Sequence, residues 1–561
     1  MVFHVNGTPV GFEAIFLAVL ASMGGFIFGY DTGQISDILL MKDFLIRFAQ
    51  NSPSAATGHA FTNVREGLVV ALLSIGTLIG ALCGAYIADS MGRRRAITVE
   101  CGVFVIGVII QLTSFHAWYQ IAIGRLISGL GVGALSAAVP TYQAETAPKQ
   151  IRGTLIGTYQ LFITFGILVA YCISIATRSI DGSGSWRTVV GIGIIWAVIL
   201  GVGILFMPES PRWLARRDRL DEARLSLARI RGLAHSPHEP IVNEDYDEII
   251  NRVQEERSAG AGDSTWADCF RSSVGGTNKI RYRTLLLMSL QALQQLTGAN
   301  YFFYYGATIF TSVGISDSYV TQIILGAVNF ACTFLGLYVM EHFGRRKPLI
   351  IGGLWQSMWL FIFAAVGTAK DPTQKEIGKV MIVSACLFIL GYASTWAPGI
   401  WILTGETFPL RTRAKQAALA TASNWLWNFL LAFFTPFIVG DIQYRYGFIF
   451  ASCNLLGAVV VYFFLYESSG LSLEAVDAMY SDRGVKAWQS SSSIPPVGYH
   501  SRGEDVATTK TKGEVGHQEF VGGEKRDMHG GDGSRAPTAI GDDGRESPTD
   551  TASRTAASEI V

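Results

Sequence analysis

The motif Glu-Thr-x-Pro-x-x-x-Arg occurs twice in the chain, as ETAPKQIR at residues 145–152 and as ETFPLRTR at residues 406–413. Each copy directly follows a long apolar run, and the two copies begin 261 residues apart. An acid and an arginine at a fixed spacing can form an ion pair. The charged residues do not cluster with a nucleophile or in the spacing of a metal site, so the sequence predicts neither an enzyme nor a bound cofactor or metal.

Two other charged motifs are repeated in the same order. GAYIADSMGRRR at 84–95 corresponds to GLYVMEHFGRRK at 336–347, 252 residues later, and PESPR at 208–212 corresponds to YESSG at 466–470. Three motif pairs at nearly the same offset predict a duplicated unit whose two copies run in the same direction.

We expect the charged residues of these motifs to hold helix ends together and to rearrange when the two copies move. If the arginines were simple anchors at the level of the lipid headgroups, the acids at fixed spacing would be unexplained. The predicted gating network consists of Asp89, Arg93, Arg94, Glu145, Arg152, Glu209, Arg212, Glu341, Arg345, Arg346, Glu406, Arg413 and Glu467.

The elements that position these motifs are membrane-spanning helices. The chain has 561 residues, of which 50% are hydrophobic and only 16% charged, and this composition excludes an ordinary soluble protein. A span needs about 20 apolar residues, and only helices can satisfy the backbone over such runs. The predicted spans are 12–36, 68–88, 96–114, 119–141, 154–176, 188–207, 284–306, 320–340, 349–367, 379–404, 415–438 and 446–466.

Lysine and arginine crowd the short connections after the even-numbered spans, which predicts that these connections and both termini are cytoplasmic. The predicted organisation is a short N-terminus (1–11), a six-helix half (12–207), a cytoplasmic loop (208–283), a second six-helix half (284–466) and a cytoplasmic tail (467–561). In the loop, Leu220, Ala223, Leu227 and Ile230 share one helical stripe, which predicts an amphipathic helix, and Tyr246, Ile249, Ile250 and Val253 predict another. After about residue 482 the composition predicts disorder.

Several motifs together resemble the sugar porter branch of the major facilitator superfamily, and within it they are most similar to those of fungal hexose transporters. The resemblance covers about residues 12–480. It rests on GYDTG (29–33), GRLISGLGVG (124–133), PTYQAETAPKQIRG (140–153), PESPRWL (208–214), QQLTGANYFFYY (294–305), FGRR (343–346) and TWAPGIW (395–401). It implies an all-α fold of twelve helices in two halves, with a break in the seventh span near Gly298. YESSG departs from the family's usual Pro-Glu-Thr-Lys-Gly.

Sugar hydroxyls both donate and accept hydrogen bonds, and a sugar ring has an apolar C–H face. Amide side chains and one aromatic ring therefore suit such a ligand. The resemblance places a set of these residues around one cavity, although any single amide could instead join helices. The predicted substrate-binding residues are Gln160, Gln294, Gln295, Asn300, Asn329, Trp401 and Asn424, whereas Gln291 and Tyr301 are expected to be structural.

Asp31 and Arg125 are the strongest candidates for a functional pair of charges within the spans. At 1.5 Å per residue, Asp31 lies about 28 Å along the first span, and Arg125 lies at a similar depth in the fourth. Insertion of a lone charge at the centre of a membrane helix costs about 2.5–3.5 kcal/mol even on scales derived from translocon insertion, which give the lower values, so the two charges are expected to pair. The resemblance gives the aspartate the role of proton carrier in proton–sugar symporters, but facilitative members carry the same residue types.

The predicted function is therefore hexose transport, with glucose as the first candidate, across the plasma membrane. Coupling to a proton remains open against facilitated diffusion, and a sugar sensor that signals through its tail is a second class. The expected partners are a hexose, a proton if transport is coupled, and the lipid bilayer. No nucleic-acid partner is expected, and we expect a monomer.

Overall fold

The fold was analysed in a computed structural model. It describes residues 2–5, 8–53, 58–147, 152–233, 236–258, 265–274, 277–312, 317–370, 374–409, 412–469, 471, 473–481 and 486–492. Most of the tail that the composition predicts to be disordered, 482–485 and 493–561, lies outside these residues.

The first half of the chain begins with a hairpin of two antiparallel strands and continues with long apolar helices. Two very short strands pair in the connection that follows the second helix. The elements are β1 (Val2–Val5), β2 (Thr8–Gly11), α1 (Phe12–Ile38), α2 (Lys42–Phe48), β3 (Gln50–Asn51), β4 (His59–Ala60), α3 (Asn63–Met91), α4 (Arg93–Leu112), α5 (Trp118–Thr146), α6 (Arg152–Thr177) and α7 (Gly184–Gly203).

Short amphipathic helices follow between the halves. The elements are α8 (Pro211–Arg216), α9 (Leu220–Arg231), α10 (Pro240–Ser258), β5 (Ser273–Val274) and β6 (Thr277–Asn278). Ala223, Leu227 and Ile230 of α9 are buried, whereas Leu220 is half-exposed. Val253 of α10 packs in the same cluster as Ala223, so the apolar stripes face each other.

The second half repeats the pattern of long helices. Its elements are α11 (Ile280–Gln295), α12 (Ala299–Ser312), α13 (Ser318–His342), α14 (Arg346–Ala369), α15 (Lys375–Gly391), a π-helical turn (Tyr392–Trp396), α16 (Ala397–Glu406), α17 (Arg413–Ile442) and α18 (Tyr446–Phe464). Beyond the last span lie α19 (Leu473–Ser481) and a 3₁₀ turn (Ala487–Ser492).

Ten stretches of the described residues are long and apolar enough to cross a membrane. One of them, Lys415–Phe464, contains both α17 and α18, and the interrupted pair α11–α12 supplies a further crossing. The fold thus has the twelve crossings predicted from the sequence, in two halves with a helical segment between them. The halves meet where α3 packs on α17, α6 on α13 and α1 on α12.

The seventh span is broken at Gly298, as the family resemblance implied. Gly298 has a φ of +92°, a backbone conformation that other residues rarely adopt. A Cβ at this position would also lie 2.8 Å from Cγ of Phe450, so the site has no space for a side chain. The break separates α11 from α12 and changes the direction in which the residues after Gly298 point.

Candidate functional site

The amide side chains of α11 and α17 form a continuous hydrogen-bonded cluster. Asn424 Nδ2 donates to Gln291 Oε1 at 2.7 Å and to Gln294 Oε1 at 2.8 Å, and its own Oδ1 accepts from Gln295 Nε2 at 2.8 Å. All four side chains are buried. The i, i+3, i+4 stripe of α11 therefore faces one asparagine of α17.

The helix break brings α12 into the same cluster. Asn300 Nδ2 donates to Gln295 Oε1 at 2.5 Å, and Asn428 Nδ2 donates to the same oxygen at 3.2 Å. On a straight helix Asn300 would be out of phase with the stripe, so the turn at Gly298 is what lets it reach Gln295. Asn300 remains partly exposed, at the edge of the cluster.

Asn428 connects the two halves of the molecule. It was not predicted from the sequence as a site residue. Its Oδ1 accepts from Ser74 Oγ of α3 at 2.6 Å and from the Tyr304 hydroxyl of α12 at 3.1 Å. The spacing of the two asparagines could have identified it, because Asn428 is one helical turn after Asn424 and so lies on the same face of α17. Ser74 of α3, which donates to Asn428, has no comparable spacing to another predicted site residue.

Gln291 is part of this cluster as well as Gln294 and Gln295. Its Nε2 donates to Thr404 Oγ1 at 3.0 Å, whereas Gln294 Nε2 donates to the backbone oxygens of Trp396 and Ala397 at 2.9 and 3.2 Å. Gln291 and Gln294 thus tie α11 to the tenth crossing. Gln295 differs because, within the described residues, its side chain bonds only to Asn300, Asn424 and Asn428.

The other predicted binding residues do not hydrogen-bond to the amide cluster. Gln160 on α6 is partly exposed and makes no hydrogen bond to another described residue. Asn329 on α13 is buried, and its carboxamide oxygen has no partner within the described part of the chain. Trp401 on α16 is 37% exposed, and one turn later a Cβ on Gly405 would meet nothing within 4 Å, so the space beside this face is open.

Asp31 and Arg125 lie together, as their predicted depths require. Arg125 Nη1 is 3.8 Å from Asp31 Oδ1, and both side chains are 1% exposed. This oxygen accepts a hydrogen bond from Gln34 Nε2, at 2.5 Å. Asp31 Oδ2 and the Nε and Nη2 atoms of Arg125 have no partner among the described residues. The pair is buried and incompletely satisfied, so a proton on Asp31 would change its hold on Arg125.

The charged motifs of the first half form a network at the basic end of the bundle, the end that carries the arginine-rich connections. Arg93 donates through Nε and Nη2 to the two oxygens of Glu145, at 2.8 and 3.0 Å, and through Nη1 to Asp89 at 2.8 Å. Glu209 accepts from the backbone N–H of Arg93 at 2.9 Å. A Cβ on Gly92 would lie 2.7 Å from this carboxylate, and Gly92 has a φ of +91°, so another residue there would strain the backbone and displace Glu209.

The second half repeats this geometry. Arg345 donates through Nε and Nη2 to the two oxygens of Glu406, at 3.1 and 2.8 Å. Glu467 accepts from the backbone N–H groups of Arg345 and Arg346 at 2.9 and 3.0 Å, and a Cβ on Gly344 would lie 2.8 Å from it. Glu467 thus acts as Glu209 does, although the motif around it has lost its proline and lysine.

The remaining predicted members of the network have different surroundings. Arg94 lies at ion-pair distance from Glu209, with 3.7 Å between Nε and Oε2, and donates to the Met207 backbone oxygen at 2.9 Å. Arg346 donates to the Tyr462 backbone oxygen at 2.6 Å. Arg413 Nε donates to the Phe408 oxygen at 3.2 Å. Arg212 lies half-buried in α8, Glu341 is exposed, and the side chain of Arg152 is outside the described part of the structure.

The comparisons with known proteins agree with this architecture. A family profile described as "Sugar (and other) transporter" matches residues 17–480. The chain belongs to this sugar transporter family. It is 44% identical to the high-affinity glucose transporter ght2 of Schizosaccharomyces pombe, over 84% of this chain and 88% of the relative. It is 42% identical to the high-affinity fructose transporter ght6 of the same organism (90% and 92% covered) and 41% identical to the low-affinity glucose transporter HXT3 of Saccharomyces cerevisiae (85% and 83% covered).

Solved structures of the xylose transporter XylE from E. coli share the fold of this transporter. A partially occluded, inward-open structure superimposes with a TM-score of 0.66 and 27% identity, covering 81% of this chain and 98% of that one. The proton:xylose symporter XylE bound to 6-bromo-6-deoxy-D-glucose superimposes with a TM-score of 0.69 and 27% identity, covering 83% and 99%. The transporter is therefore a multi-pass membrane protein of the major facilitator fold.

At the end opposite to the basic connections, an ion pair joins the two halves of the transporter. Arg178, just after α6, donates through Nη1 and Nη2 to the two oxygens of Asp317 at 2.7 and 2.8 Å, and its guanidinium lies over the ring of Tyr319. The hydrogen bonds from Arg178 hold the pKa of Asp317 below its usual range. Sequence reasoning missed this pair, because the two residues are 139 positions apart and belong to no repeated motif.

Proposed function

We propose that this transporter carries hexoses, with glucose as the first candidate, across the plasma membrane by alternating access. Its relatives named above are transporters of glucose and fructose, and the match extends over most of both chains. We propose further that the basic end is cytoplasmic, that both termini lie on that side, and that the protein works as a monomer in the bilayer without catalysing a chemical reaction.

The amide cluster is the observation that carries this proposal. Gln295, Asn300 and Asn424 hydrogen-bond to one another, and a sugar hydroxyl, which both donates and accepts, can replace an amide–amide bond by bonding to both of its members. Asn300 and Gln160 are partly exposed, and Trp401 has open space beside it. A sugar could therefore reach these three residues, whereas the other amides of the cluster are buried. In the proposed binding mode Trp401 covers a C–H face and Asn329 supplies its unpartnered oxygen.

Alternating access requires two halves that rock as bodies about this site. Among the described residues, Arg93 bonds only within the first half and Arg345 only within the second. Each network therefore fastens the helix ends of its own half at the basic end, where gating at the cytoplasmic side is proposed to occur. The ion pair between Arg178 and Asp317 crosses between the halves at the opposite end, and we propose that it contributes to closure of that side.

Asp31 and Arg125 are proposed to couple transport to a proton. Protonation of Asp31 would remove the buried charge that Arg125 faces and release α5 from α1. The solved neighbour described as a proton:xylose symporter has the same fold, which supports coupling as a function of this scaffold. A facilitative carrier would keep the pair for structural reasons alone.

Uptake of labelled sugar by a host that lacks its own hexose carriers tests the proposal. The chain expressed alone should restore uptake of glucose, and competition by unlabelled hexoses should rank the substrates. A purified protein that binds hexose but supports no uptake would identify a sensor and overturn the transport function.

A further inference from the structure

Asp37 is a second buried acid of α1, six residues after Asp31 and therefore about 9 Å further along the helix. Its side chain is fully buried, and neither of its carboxylate oxygens has a hydrogen-bond partner among the described residues. The gating networks and the amide cluster do not use it. It lies beside the ion pair between Arg178 and Asp317, where the two halves meet.

The donors around Asp37 are engaged elsewhere. The titratable and charged groups that face it are Tyr171 and Arg178 from the α6 side and Asp317 and Tyr319 from the α13 side. Arg178 gives both of its Nη atoms to Asp317, and the Tyr319 hydroxyl donates to the backbone oxygen of Asp37 at 3.2 Å. The Tyr171 hydroxyl donates to the Phe303 oxygen at 3.4 Å.

Ser174 is the remaining polar neighbour of Asp37. This serine of α6 is also fully buried, and its hydroxyl oxygen has no well-formed hydrogen bond within the described residues. The Ser174 hydroxyl can donate one hydrogen bond to a charged Asp37, but the second carboxylate oxygen would then stay buried without a donor. A neutral Asp37 leaves no buried charge to satisfy.

We infer that Asp37 is a proton-binding site whose occupancy favours closure of the end that carries Arg178 and Asp317. A charged Asp37 is hydrated when this end is open, whereas closure buries it beside an arginine that is already paired. Burial of an unpaired charge is costly, so closure is favourable when the acid is neutral. By linkage, a lower pH on this side must shift the equilibrium toward the closed state.

Asp317 does not supply this response. The guanidinium of Arg178 keeps the pKa of Asp317 below its usual range. The ion pair is thus fully formed above the ordinary range of an aspartate, and it is lost only as the pH falls through that lowered value. Between pH 8 and pH 5 Asp317 stays charged, so it does not contribute to a change in closure over this range, and the Asp37 variants separate the response of Asp37 from that of Asp31.

This inference rests on the proposed transport function for the orientation of the two sides, but its test needs no sugar. Spin labels at Asp181→Cys and Lys379→Cys, in full-length protein without its native cysteines and in lipid nanodiscs, would report the separation of the halves at this end by pulsed electron paramagnetic resonance. Both positions are exposed and lie in different halves. From pH 8 to pH 5 the ratio of short to long distances should rise about tenfold, within the limit that binding of one proton sets.

Asp37→Asn should give mainly the short distance at both pH values, because the amide is neutral and still able to donate to Ser174. Asp37→Ser provides a second neutral side chain if the asparagine variant folds poorly. Asp43→Asn is the matched control, since this carboxylate lies at the same end but is already bonded to Arg47 at 2.6 Å, and this variant should keep the response of the parent.

An unchanged response in both Asp37 variants, or no response in the parent, would overturn the inference. Failure of sugar uptake with an intact response would instead count against the proposed function.

Discussion

Arg93 and Glu145 form a two-pronged ion pair across 52 residues of sequence, with both side chains at most 7% exposed. The pair joins the start of α4 to the end of α5, and the equivalent pair of Arg345 and Glu406 joins the start of α14 to the end of α16. Planar bidentate geometry is specific to arginine, so lysine cannot replace either cation without loss of a bond.

Arg93→Ala should slow turnover more than it weakens sugar binding, because the pair is remote from the amide cluster. Removal of one partner from a buried pair costs about 3–5 kcal/mol, since the other charge stays buried. Arg345→Ala should behave in the same way in the second half. Sugar uptake rates, equilibrium binding and thermal unfolding of the purified variants would separate the two effects.

The control for this prediction is Asp89→Asn. Asp89 bonds to the same arginine, but its side chain is 64% exposed, and exposed ion pairs contribute only about 0–1 kcal/mol. The variant should transport nearly as the parent does. A wild-type turnover rate in Arg93→Ala would mean that the arginine is only an interfacial anchor.

Gln295→Leu should weaken hexose binding by about 5- to 150-fold, because an unpaired buried amide costs about 1–3 kcal/mol. Gln295 accepts from Asn300 and Asn428, so its loss leaves both without their acceptor. Trp401→Ala should cost a similar amount of affinity, since the apolar face of the sugar would meet water. Binding of a labelled hexose to purified protein measures both changes.

Gln291→Leu is the matched control on the same helical stripe. Gln291 bonds to Thr404 of the tenth crossing, which ties two helices together, so the variant should reduce stability or expression more than apparent affinity. Equal losses of affinity in Gln291→Leu and Gln295→Leu would show that the whole stripe joins helices and that the sugar binds elsewhere.

Asp31→Asn should abolish accumulation of sugar against a gradient while exchange of sugar across the membrane continues. The amide keeps the shape of the side chain and its contact with Gln34, but it cannot carry a proton. In the parent, addition of sugar to cells in a lightly buffered medium should raise the external pH. Neither uphill accumulation nor a pH change in the parent would identify a facilitative carrier.

Truncation of the tail should have an effect that depends on the point of truncation. The composition predicts that removal of 483–561 leaves transport unchanged, but the 3₁₀ turn at 487–492 contacts the charged network. Ser490 Oγ accepts from the backbone N–H of Glu467 at 3.0 Å, and the Trp488 oxygen accepts from Arg346 at 3.3 Å. Removal of 493–561 should therefore preserve the uptake rate per folded molecule, whereas removal of 483–561 should lower it.

Uptake by correctly localised protein, normalised to its surface amount, measures this difference. Ser490→Ala in the full-length chain isolates the one hydrogen bond. Loss of uptake on removal of 493–561 alone would favour a sensor or an autoregulated carrier.

The crossings were predictable because they depend on local sequence, namely on apolar length, and the break at Gly298 was implied by the resemblance to sugar porters. The bond from Arg93 to Glu145 was not predictable, because the motif spacing suggests Arg152 as the partner and the contact with Arg93 depends on the packing of α4 on α5. Asn428 could have been found from its spacing to Asn424. The pair of Arg178 and Asp317 could not, since its formation depends on how the halves approach each other.

The π-helical turn at Tyr392–Trp396 acts as a one-residue insertion in the tenth crossing. Every side chain after it is rotated by about 100° relative to a continuous α-helix, since each residue advances the helix by that angle. The direction of Trp401 and the reach of Glu406 toward Arg345 share this single phase shift. A change that restored a regular α-helix there would turn the aromatic ring and the acid away together. The proposed sugar-binding surface and the ion pair at the basic end therefore cannot be altered independently along this helix.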